Sequence, residues 1–417
     1  MTWFSVNNRT TASGAGHPIP PKRIRTFKVV LSLAGLLISL ALAEGVLRVV
    51  EKIQLGDRAI ESQLIKDPLL GLKLAPYAQK HDANGFRNDT VPPNVDIVAL
   101  GDSQTWGVNV ERQAAWPQQL SKISGRSVYN MGLGGFGPVQ YHVLIPAALG
   151  LSPKVIVVGF YFGNDIYDAY RMAYQYEAHR ALRSNTAAGD LSVDTVGERA
   201  NSFWNEEKQF HANFGRSSFS GWSFWLREHL ALGRLLNRTG LWPGSQDIDY
   251  EIDKHWAKAY PDHGFVCEEA GRETVLTTAY RLAGLDIDEP RNAEGLRISK
   301  ELLAQMQNEV DAKQTKLLVL LVPTKETVYA TAQSGKMREK ISSDPTYQRL
   351  VAMEGRIRSE IISTCQAKRI QCLDVLPYLS SALDRGERIY PTTTESHPNE
   401  RGYFVIASAV REYWGSS

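Results

Sequence analysis

A serine and a histidine far apart in the chain have neighbours suited to nucleophilic catalysis. Ser103 ends the tripeptide Gly101-Asp102-Ser103, which directly follows an apolar run. His397 lies in a polar stretch near the carboxyl end, two positions after Glu395. A histidine whose ring is held by a carboxylate can take the proton of a serine hydroxyl, whose oxygen then attacks a carbonyl carbon. Each motif alone is a weak signal, because both are common in turns.

Two further segments carry groups that can stabilise the oxyanion of such a reaction. The stretch from Met131 to Gly137 contains four glycines, which let backbone amides approach a ligand closely. Asn164 follows another apolar run, and its side-chain amide can donate to developing negative charge. The glycine spacing differs from a phosphate-binding loop, and no lysine follows it.

Short apolar runs predict the strands that position these residues. Runs of this kind fill parallel strands that are buried on both faces. They predict strands at Val95–Leu100, Ser127–Asn130, Val155–Phe160, Leu317–Val322 and Ile370–Val375. Helix-like stretches lie between the first three and around the last two, so we expect an α/β fold with helices on both faces of a parallel sheet. The residues above then meet at the carboxyl edge of that sheet, where such folds bind ligands.

The chain divides into segments by composition. We expect a disordered cytoplasmic tail (1–26), a transmembrane signal anchor (27–47), a linker and entry segment (48–94), the first part of the core (95–170), an insertion or cap (171–311) and the second part of the core (312–417). The insertion is too long for one crossover and its pattern is mostly helical. Its many aromatic residues form either a sugar-stacking platform or the small core of the insertion itself.

The amino end predicts one membrane span. The stretch Val29–Ala43 has no charge, and a basic cluster from Lys22 to Lys28 precedes it. Basic residues before an apolar stretch predict a cytoplasmic amino end, so the rest of the chain would lie in the periplasm, anchored in the inner membrane. A cleaved signal peptide is the alternative, because Ala41-Leu42-Ala43 has the small-x-small form of a cleavage site.

Composition excludes several classes of protein. The chain of 417 residues has 47 basic and 45 acidic side chains, a net charge of +2, which gives no basic footprint for nucleic acid. A hydrophobic fraction of 43% and a charged fraction of 22% exclude a largely disordered chain. The three cysteines form no CxxC pair and the histidines show no metal spacing. We therefore expect neither a metal site nor another cofactor.

The sequence resembles the SGNH (GDSL-type) hydrolase family, whose motif blocks match, in the same order, the segments around Ser103, Gly135, Asn164 and His397. The resemblance implies a flavodoxin-like three-layer fold. It also implies that Ser103 is the nucleophile and His397 the base. The oxyanion hole would consist of the amides of Ser103 and Gly135 and the side chain of Asn164.

Two positions depart from the family pattern. Phe162 stands where a glycine is usual, and Thr394 stands where many members carry the aspartate of the triad. Glu395 instead looks like the Asp-x-His arrangement of the branch that resembles alginate and cell-wall O-acetyltransferases. The alternative is a dyad of Ser103 and His397, with a backbone carbonyl holding the ring.

The resemblance implies a membrane-anchored serine esterase that hydrolyses or transfers O-acyl groups, acetyl above all, on extracytoplasmic carbohydrate. A membrane protein that donates the acyl group is then a candidate partner. Lys325 follows the fourth predicted strand, in a segment similar to one found in membrane-anchored members. It can bind an anionic polysaccharide or form a salt bridge with Glu326 or a neighbour. The alternative from another class is an inactive polysaccharide-binding or assembly protein on the same fold.

Overall fold

The structure is a computed structural model that describes residues 21–56, 63–78, 81–184, 194–218, 226, 230–238, 245–332 and 335–415. The strands, in chain order, are β1 (Leu64–Asp67), β2 (Gly71–Leu74), β3 (Ile97–Gly101), β4 (Val128–Asn130), β5 (Val155–Tyr161), β6 (Phe265–Cys267), β7 (Thr274–Leu276), β8 (Lys316–Val322) and β9 (Gln371–Asp374). The helices, in chain order, are α1 (Pro21–Gly56), α2 (Ser103–Trp106), α3 (Trp116–Ser124), α4 (Pro138–Leu149), α5 (Asp165–Gln175), α6 (Thr195–Ser218), α7 (Ala231–Arg238), α8 (Ser245–Ala259), α9 (Thr278–Leu285), α10 (Pro290–Asp311), α11 (Lys325–Thr331), α12 (Gly335–Ser342), α13 (Pro345–Lys368), α14 (Leu376–Asp384) and α15 (Glu400–Gly415). Two 3-10 turns lie at Arg112–Ala114 and Glu177–Leu182.

Five strands form one parallel sheet in the spatial order β4-β3-β5-β8-β9. Numbered by their appearance within this sheet, the order is 2-1-3-4-5, which is the flavodoxin-like order of a doubly wound fold. Ala99 of β3 pairs with Asn130 of β4 on one side and with Val157 of β5 on the other. The carboxyl ends of β3 and β5 therefore lie side by side, at the point where the winding reverses. The predicted three-layer α/β fold is confirmed.

Both faces of this sheet are buried, which explains why its strands read as continuous apolar runs. Successive residues point to opposite faces, so Val98 and Ile156 join one core while Ala99 and Val157 join the other. Helices α4, α5, α10 and α13 cover the first face, and α3, α11, α14 and α15 cover the second. Two helical layers thus fix the sheet and the positions of the loops at its edge.

Residues 63–78 and 81–94 of the entry segment pack more closely on the core than a linker would. Strands β1 and β2 form an antiparallel hairpin, and Leu74 and Phe86 are buried in the first core. Asp82 accepts a hydrogen bond from the hydroxyl of Tyr129 at 2.8 Å. Arg87 donates to the carbonyl oxygens of three residues between 106 and 110. This segment therefore supports the loop that follows β3.

The insertion between β5 and β8 builds a small core of its own. Phe203 of α6, Trp256 of α8, and Val266 and Val275 of the β6–β7 hairpin pack together there. Part of the aromatic set is therefore core, as one of the two interpretations of the sequence proposed. The aromatics from 219 to 225 lie outside the described residues.

Helix α1 carries the predicted membrane span. Its segment Phe27–Val50 has 24 residues with a mean hydropathy of 2.2 and is exposed along most of its length, although the carboxylate of Glu44 accepts the backbone N–H groups of Ala231 and Leu232 in α7. By length and composition this segment can cross a bilayer or serve as a signal sequence. The helix begins at Pro21, before the predicted start of the span at residue 27, and continues to Gly56.

Candidate active site

The turn after β3 presents Ser103 at the carboxyl edge of the sheet. Gly101 ends the strand where a Cβ atom would collide with the side chain of Thr105. Asp102 then caps the short helix α2, since its Oδ1 atom accepts a hydrogen bond from the backbone N–H of Gln104 at 2.9 Å. Ser103 is therefore the first residue of α2, beside the point where the winding of the sheet reverses.

The loop before α15 brings His397 and Glu395 to this serine. The Nε2 atom of His397 lies 2.8 Å from the Oγ atom of Ser103. On the other side of the ring, Nδ1 lies 2.5 Å from Oε1 of Glu395. The same carboxylate oxygen accepts the backbone N–H of His397 at 3.0 Å. Hydroxyl, imidazole and carboxylate thus form one continuous chain of contacts, although 294 positions separate the serine from the histidine.

The environment keeps Glu395 ionised. Burial alone would raise the pKa of Glu395, but its hydrogen bonds to His397 and the charge of that ring lower the pKa far below its ordinary value. The carboxylate therefore remains an acceptor throughout the neutral range. An acceptor at Nδ1 holds the proton of the neutral ring on that atom and leaves Nε2 free to accept the serine proton.

A second carboxyl group lies beneath Ser103. The Oδ2 atom of Asp102 lies 3.3 Å from Oγ of Ser103, and the side chain is fully buried. Burial raises the pKa of Asp102 to about 6, and the amide of Gln104 and the charge of His397 oppose that rise. The Ser103 hydroxyl therefore has two acceptors, and the shorter contact is the one to His397.

The two predicted oxyanion donors lie on loops that flank Ser103. Gly135 follows β4 with a backbone φ of +79°, in the left-handed region that favours glycine. A Cβ atom placed on the adjacent Gly134 would lie 3.8 Å from Cβ of Ser103, so this turn runs beside Ser103. Asn164 follows β5 and lines the same pocket as Ser103. Phe162 is buried in the first core, packed edge-on against Phe160.

The amide of Asn164 is held by a short chain of charged groups. Its Nδ2 atom donates to Oδ2 of Asp168 at 2.6 Å. The other carboxylate oxygen of Asp168 accepts two hydrogen bonds from the guanidinium of Arg171, at 2.8 and 3.1 Å. Because an amide nitrogen carries two hydrogens, one contact to Asp168 fixes its orientation and leaves a second donor.

Residues of the core and of the insertion line one pocket of about 570 Å³. The core contributes Ser103, Tyr161, Asn164 and the loop 393–397, whereas the insertion contributes Trp204, His211, Asp249, Asp253, Tyr280 and Arg281. The insertion therefore forms one wall of the pocket that Ser103 lines. No motif in the sequence identified these six residues.

Arg281 and Asp253, both from the insertion, also contact the loop 393–397 directly. The guanidinium of Arg281 donates to the hydroxyl of Ser396. The backbone N–H of Thr394 donates to Oδ2 of Asp253 at 2.6 Å. Both contacts reach residues next to Glu395, so the cap wall helps to set the position of the proposed triad.

The position of Lys325 in the structure agrees with neither interpretation of the sequence, which expected a bound polysaccharide or a salt bridge. Its side chain is 1% exposed, and its ammonium lies beneath the catalytic loop, away from the open part of the pocket. The Nζ atom donates to the backbone carbonyls of Thr393 at 2.8 Å, Glu395 at 3.0 Å and Pro391 at 3.1 Å. The prediction that Lys325 binds substrate is wrong, because burial and these carbonyls occupy its donors. Sequence alone gave no sign of this role, which depends on tertiary contacts.

Several solved structures resemble the chain at low sequence identity. No protein-family model matches the chain, and no curated protein matches it. A structure assigned to the lipolytic G-D-S-L family from Desulfitobacterium hafniense is 12% identical with a TM-score of 0.36, covering 76% of this chain and 99% of that chain. An acetylxylan esterase from Geobacillus stearothermophilus, solved as a catalytic mutant, is 9% identical with a TM-score of 0.34, covering 78% and 96%. A member of the lipolytic G-D-S-L family from Veillonella parvula is 11% identical with a TM-score of 0.32, covering 77% and 98%. The first and third of these proteins carry the family name that the motifs indicated, but values this low assign no chemistry to the chain.

Proposed function

We propose that this protein is a serine esterase of the SGNH type that cleaves or transfers O-acyl groups. The observation that carries the proposal is the contact of 2.8 Å between Oγ of Ser103 and Nε2 of His397, with Glu395 at 2.5 Å on the other side of the ring. The order hydroxyl, imidazole, carboxylate is that of a nucleophile, its base and the group that orients the base. Its place at the reversal point of the sheet supports a ligand site.

In the acylation step, Nε2 of His397 takes the proton of Ser103 while the serine oxygen attacks the carbonyl carbon of the ester. The negative charge that develops on the carbonyl oxygen is stabilised by the amides of Ser103 and Gly135 and by Nδ2 of Asn164. The bond to the leaving alcohol then breaks, and that oxygen receives the proton from His397. The product is an acyl-serine.

In the second step, His397 takes a proton from an acceptor whose oxygen attacks the acyl-serine. Water as acceptor gives a carboxylic acid, and a sugar hydroxyl gives a new ester. In both cases the proton returns to Ser103, which is regenerated. The same three side chains therefore serve an esterase and an O-acyltransferase, and the acceptor that enters the pocket decides between them.

The proposed substrate is an acylated carbohydrate, most simply an acetylated one. The side chains of Trp204 and Tyr280 line the same pocket as Ser103 and offer aromatic surface beside the nucleophile. The Asp-x-His-like spacing of Glu395 and His397 resembles the branch similar to alginate and cell-wall O-acetyltransferases. These two features support a carbohydrate over a lipid ester.

The proposed location is the inner membrane, with the catalytic part in the periplasm. The segment Phe27–Val50 supports a single span, and the basic residues from Lys22 to Lys28 support a cytoplasmic amino end. In this arrangement the active site faces the compartment that contains cell-wall and secreted polysaccharides. A membrane protein that supplies acyl groups is the partner proposed for the transferase form of the reaction.

The decisive experiment is labelling of the full chain, in detergent, with a serine-directed fluorophosphonate. We expect stoichiometric labelling that is lost in Ser103→Ala, and release of p-nitrophenol from p-nitrophenyl acetate that is lost in the same variant. Ser121→Ala is the matched control, because Ser121 lies on α3 and its hydroxyl binds the carbonyl of Arg126. Equal labelling or turnover by Ser103→Ala would overturn the proposed nucleophile and leave an inactive binding protein as the better account.

Offering acetylated xylan, alginate and peptidoglycan fragments to the active protein then tests the substrate class. Acetate released into water identifies an esterase, and an acetyl group found on a second, unacetylated fragment identifies a transferase. Turnover of simple esters with none of these carbohydrates would contradict the carbohydrate part of the proposal alone.

A further inference from the structure

Three side chains with metal-binding atoms converge on the cap wall of the catalytic pocket. Glu207 and His211 lie on α6, and Asp253 lies on α8. Their potential ligand atoms all lie within 4.8 Å of one another. Glu207 and His211 are four positions apart, so they project from the same face of their helix. This arrangement was missed in the sequence, because the third member comes from a different helix.

The two carboxylates of this group are buried beside His211, without a lysine or arginine among the described residues as partner. Glu207 is 5% and Asp253 2% exposed. Within the described parts of the chain, no lysine or arginine forms an ion pair with either of them. Burying two like charges together is costly unless a cation compensates them. His211 is the nearest cationic candidate, and it supplies at most one positive charge.

The contact between His211 and Asp253 also lacks the geometry of a hydrogen bond. Nε2 of His211 lies 2.8 Å from Oδ1 of Asp253, yet neither of these buried atoms forms a hydrogen bond in the described structure. An N–H bond on Nε2 in the plane of the His211 ring therefore does not point at Oδ1 of Asp253. Two donors bound to one ion at about 2.0–2.2 Å are roughly 3–3.4 Å apart, depending on whether the angle between them is octahedral or tetrahedral, so the contact seen here needs to lengthen by only a few tenths of an ångström.

We propose that Glu207, His211 and Asp253 bind a divalent transition-metal ion, Zn²⁺ or Mn²⁺, in the wall of the catalytic pocket. A donor set of one imidazole and two carboxylates suits these ions, whereas Ca²⁺ and Mg²⁺ prefer oxygen donors alone. Three protein ligands leave coordination positions for water. His211 and Asp253 also line the pocket of Ser103, so the proposed site adjoins the space where substrate would enter.

A metal at this place connects the cap to the catalytic loop. Oδ2 of Asp253 accepts the backbone N–H of Thr394 at 2.6 Å, and Thr394 immediately precedes Glu395. An ion held between α6 and α8 therefore fixes the acceptor on which this loop rests. Since the ion binds the folded protein, it should also raise the thermal stability of the cap.

The test uses the full chain in detergent, in the Ser103→Ala form, after treatment with EDTA. Titration calorimetry with ZnCl₂ and with MnCl₂ should give one equivalent of bound ion. A separate thermal unfolding scan should show a higher unfolding temperature in the presence of the ion. The Asp253→Asn and His211→Gln variants should each weaken binding by about 100-fold or more, since even groups behind the ligands affect affinity by about 10–100-fold. His255→Gln is the matched control, because His255 lies on α8 like Asp253, is half-exposed and contacts Glu251.

The outcomes separate this proposal from the esterase proposal, because binding is measured without turnover. Co²⁺ substitution provides a second readout, since its visible absorption spectrum should change in His211→Gln and remain unchanged in His255→Gln. Absence of a saturable site, or equal affinity in the Asp253→Asn protein, would overturn the proposed metal site. Circular dichroism of each variant excludes misfolding as the cause of lost binding.

Discussion

The ammonium of Lys325 donates a hydrogen bond to the backbone carbonyl of Glu395 at 3.0 Å. The same Nζ atom donates to the carbonyls of Thr393 and Pro391, at 2.8 and 3.1 Å. Its close partners are thus carbonyl dipoles, and burial lowers the pKa of Lys325 to about 8. The loop that carries Glu395 and His397 is therefore held by a group that titrates just above neutral pH.

We predict that turnover falls as pH rises through about 8, because the neutral amine of Lys325 retains two donors where the ammonium has three. Lys325→Met should lower kcat at pH 7 by about tenfold or more, since each lost charge-assisted hydrogen bond contributes roughly 1.5–3 kcal/mol. In this variant the alkaline decline assigned to Lys325 should be absent. The measurement is kcat between pH 6.5 and 9.5, with the exposed Lys313→Met as control.

Titration of Lys325 affects folding stability in the opposite direction to turnover, so a loss of activity above pH 8 can be distinguished from unfolding. The folded pKa of Lys325 lies below the ordinary value, so the unfolded chain binds more protons than the folded chain from about pH 8 to 10.5. This group therefore makes folding more favourable as pH rises through that window. A wild-type alkaline decline that persists unchanged in Lys325→Met would contradict the assignment.

The carboxylate of Glu395 should matter far more for turnover than the hydroxyl of Thr394. Glu395→Gln places an amide against Nδ1 of His397 and removes the charge that stabilises the protonated ring, so kcat should fall by roughly 10³–10⁴. Thr394→Val keeps the backbone N–H that binds Asp253 and should retain most activity. Steady-state kinetics on p-nitrophenyl acetate measure both. Nearly full activity in Glu395→Gln would favour a dyad of Ser103 and His397.

The pair of Asp168 and Asn164 gives a prediction about the oxyanion hole. Asn164→Ala should lower kcat by about 10²–10³, the usual cost of one oxyanion donor. Asp168→Asn leaves that donor in place but removes the charge that fixes it, so we expect a smaller loss, roughly tenfold, with KM little changed. Glu177→Gln is the control, because Glu177 pairs with Arg180 on the exposed surface. An Asp168→Asn variant with wild-type kcat would contradict this role.

Much of the fold could be predicted from the sequence, because the strands are buried on both faces. Each of the five predicted runs overlaps a strand of the sheet and agrees with its bounds to within two residues; the strand Val155–Tyr161, for instance, ends one residue after the predicted end. The carboxyl ends of parallel strands meet at one edge, so the motifs after them were expected to converge. Ser103 and His397 do lie in contact there.

The remaining parts of the site depend on contacts that no local pattern records. Lys325 resembles a surface cation in the sequence, and only the fold shows it beneath the loop 391–395. Arg281 and Asp253 stand in an insertion without recognisable motifs, and they reach the loop from another wall. The entry segment also resembles a linker, because its buried residues, such as Leu74 and Phe86, are spaced irregularly.

Close packing between α5 and α10 gives a stability prediction that is independent of catalysis. A Cβ atom on Gly295 would collide with the carbonyl oxygen of Ile166, so Gly295→Ala should destabilise the fold by about 1–3 kcal/mol or more. The control is Gly355→Ala in α13, where no atom lies within 4 Å of the added Cβ. That change should stabilise the helix by roughly 0.5–1 kcal/mol. Thermal unfolding of the full chain, followed by tryptophan fluorescence, should place the two midpoints on opposite sides of the wild type.

The basic cluster before Phe27 gives a prediction about topology. Because Lys22 to Lys28 should remain in the cytoplasm, alkaline phosphatase fused after Ser417 should be exported and active. Deleting residues 27–47 from the fusion is the control and should abolish its activity without affecting synthesis. A retained anchor predicts that the intact fusion stays in the membrane fraction after an alkaline carbonate wash. An intact but inactive fusion would contradict the orientation, and a shorter product released by the wash would show cleavage of the apolar segment in place of anchoring.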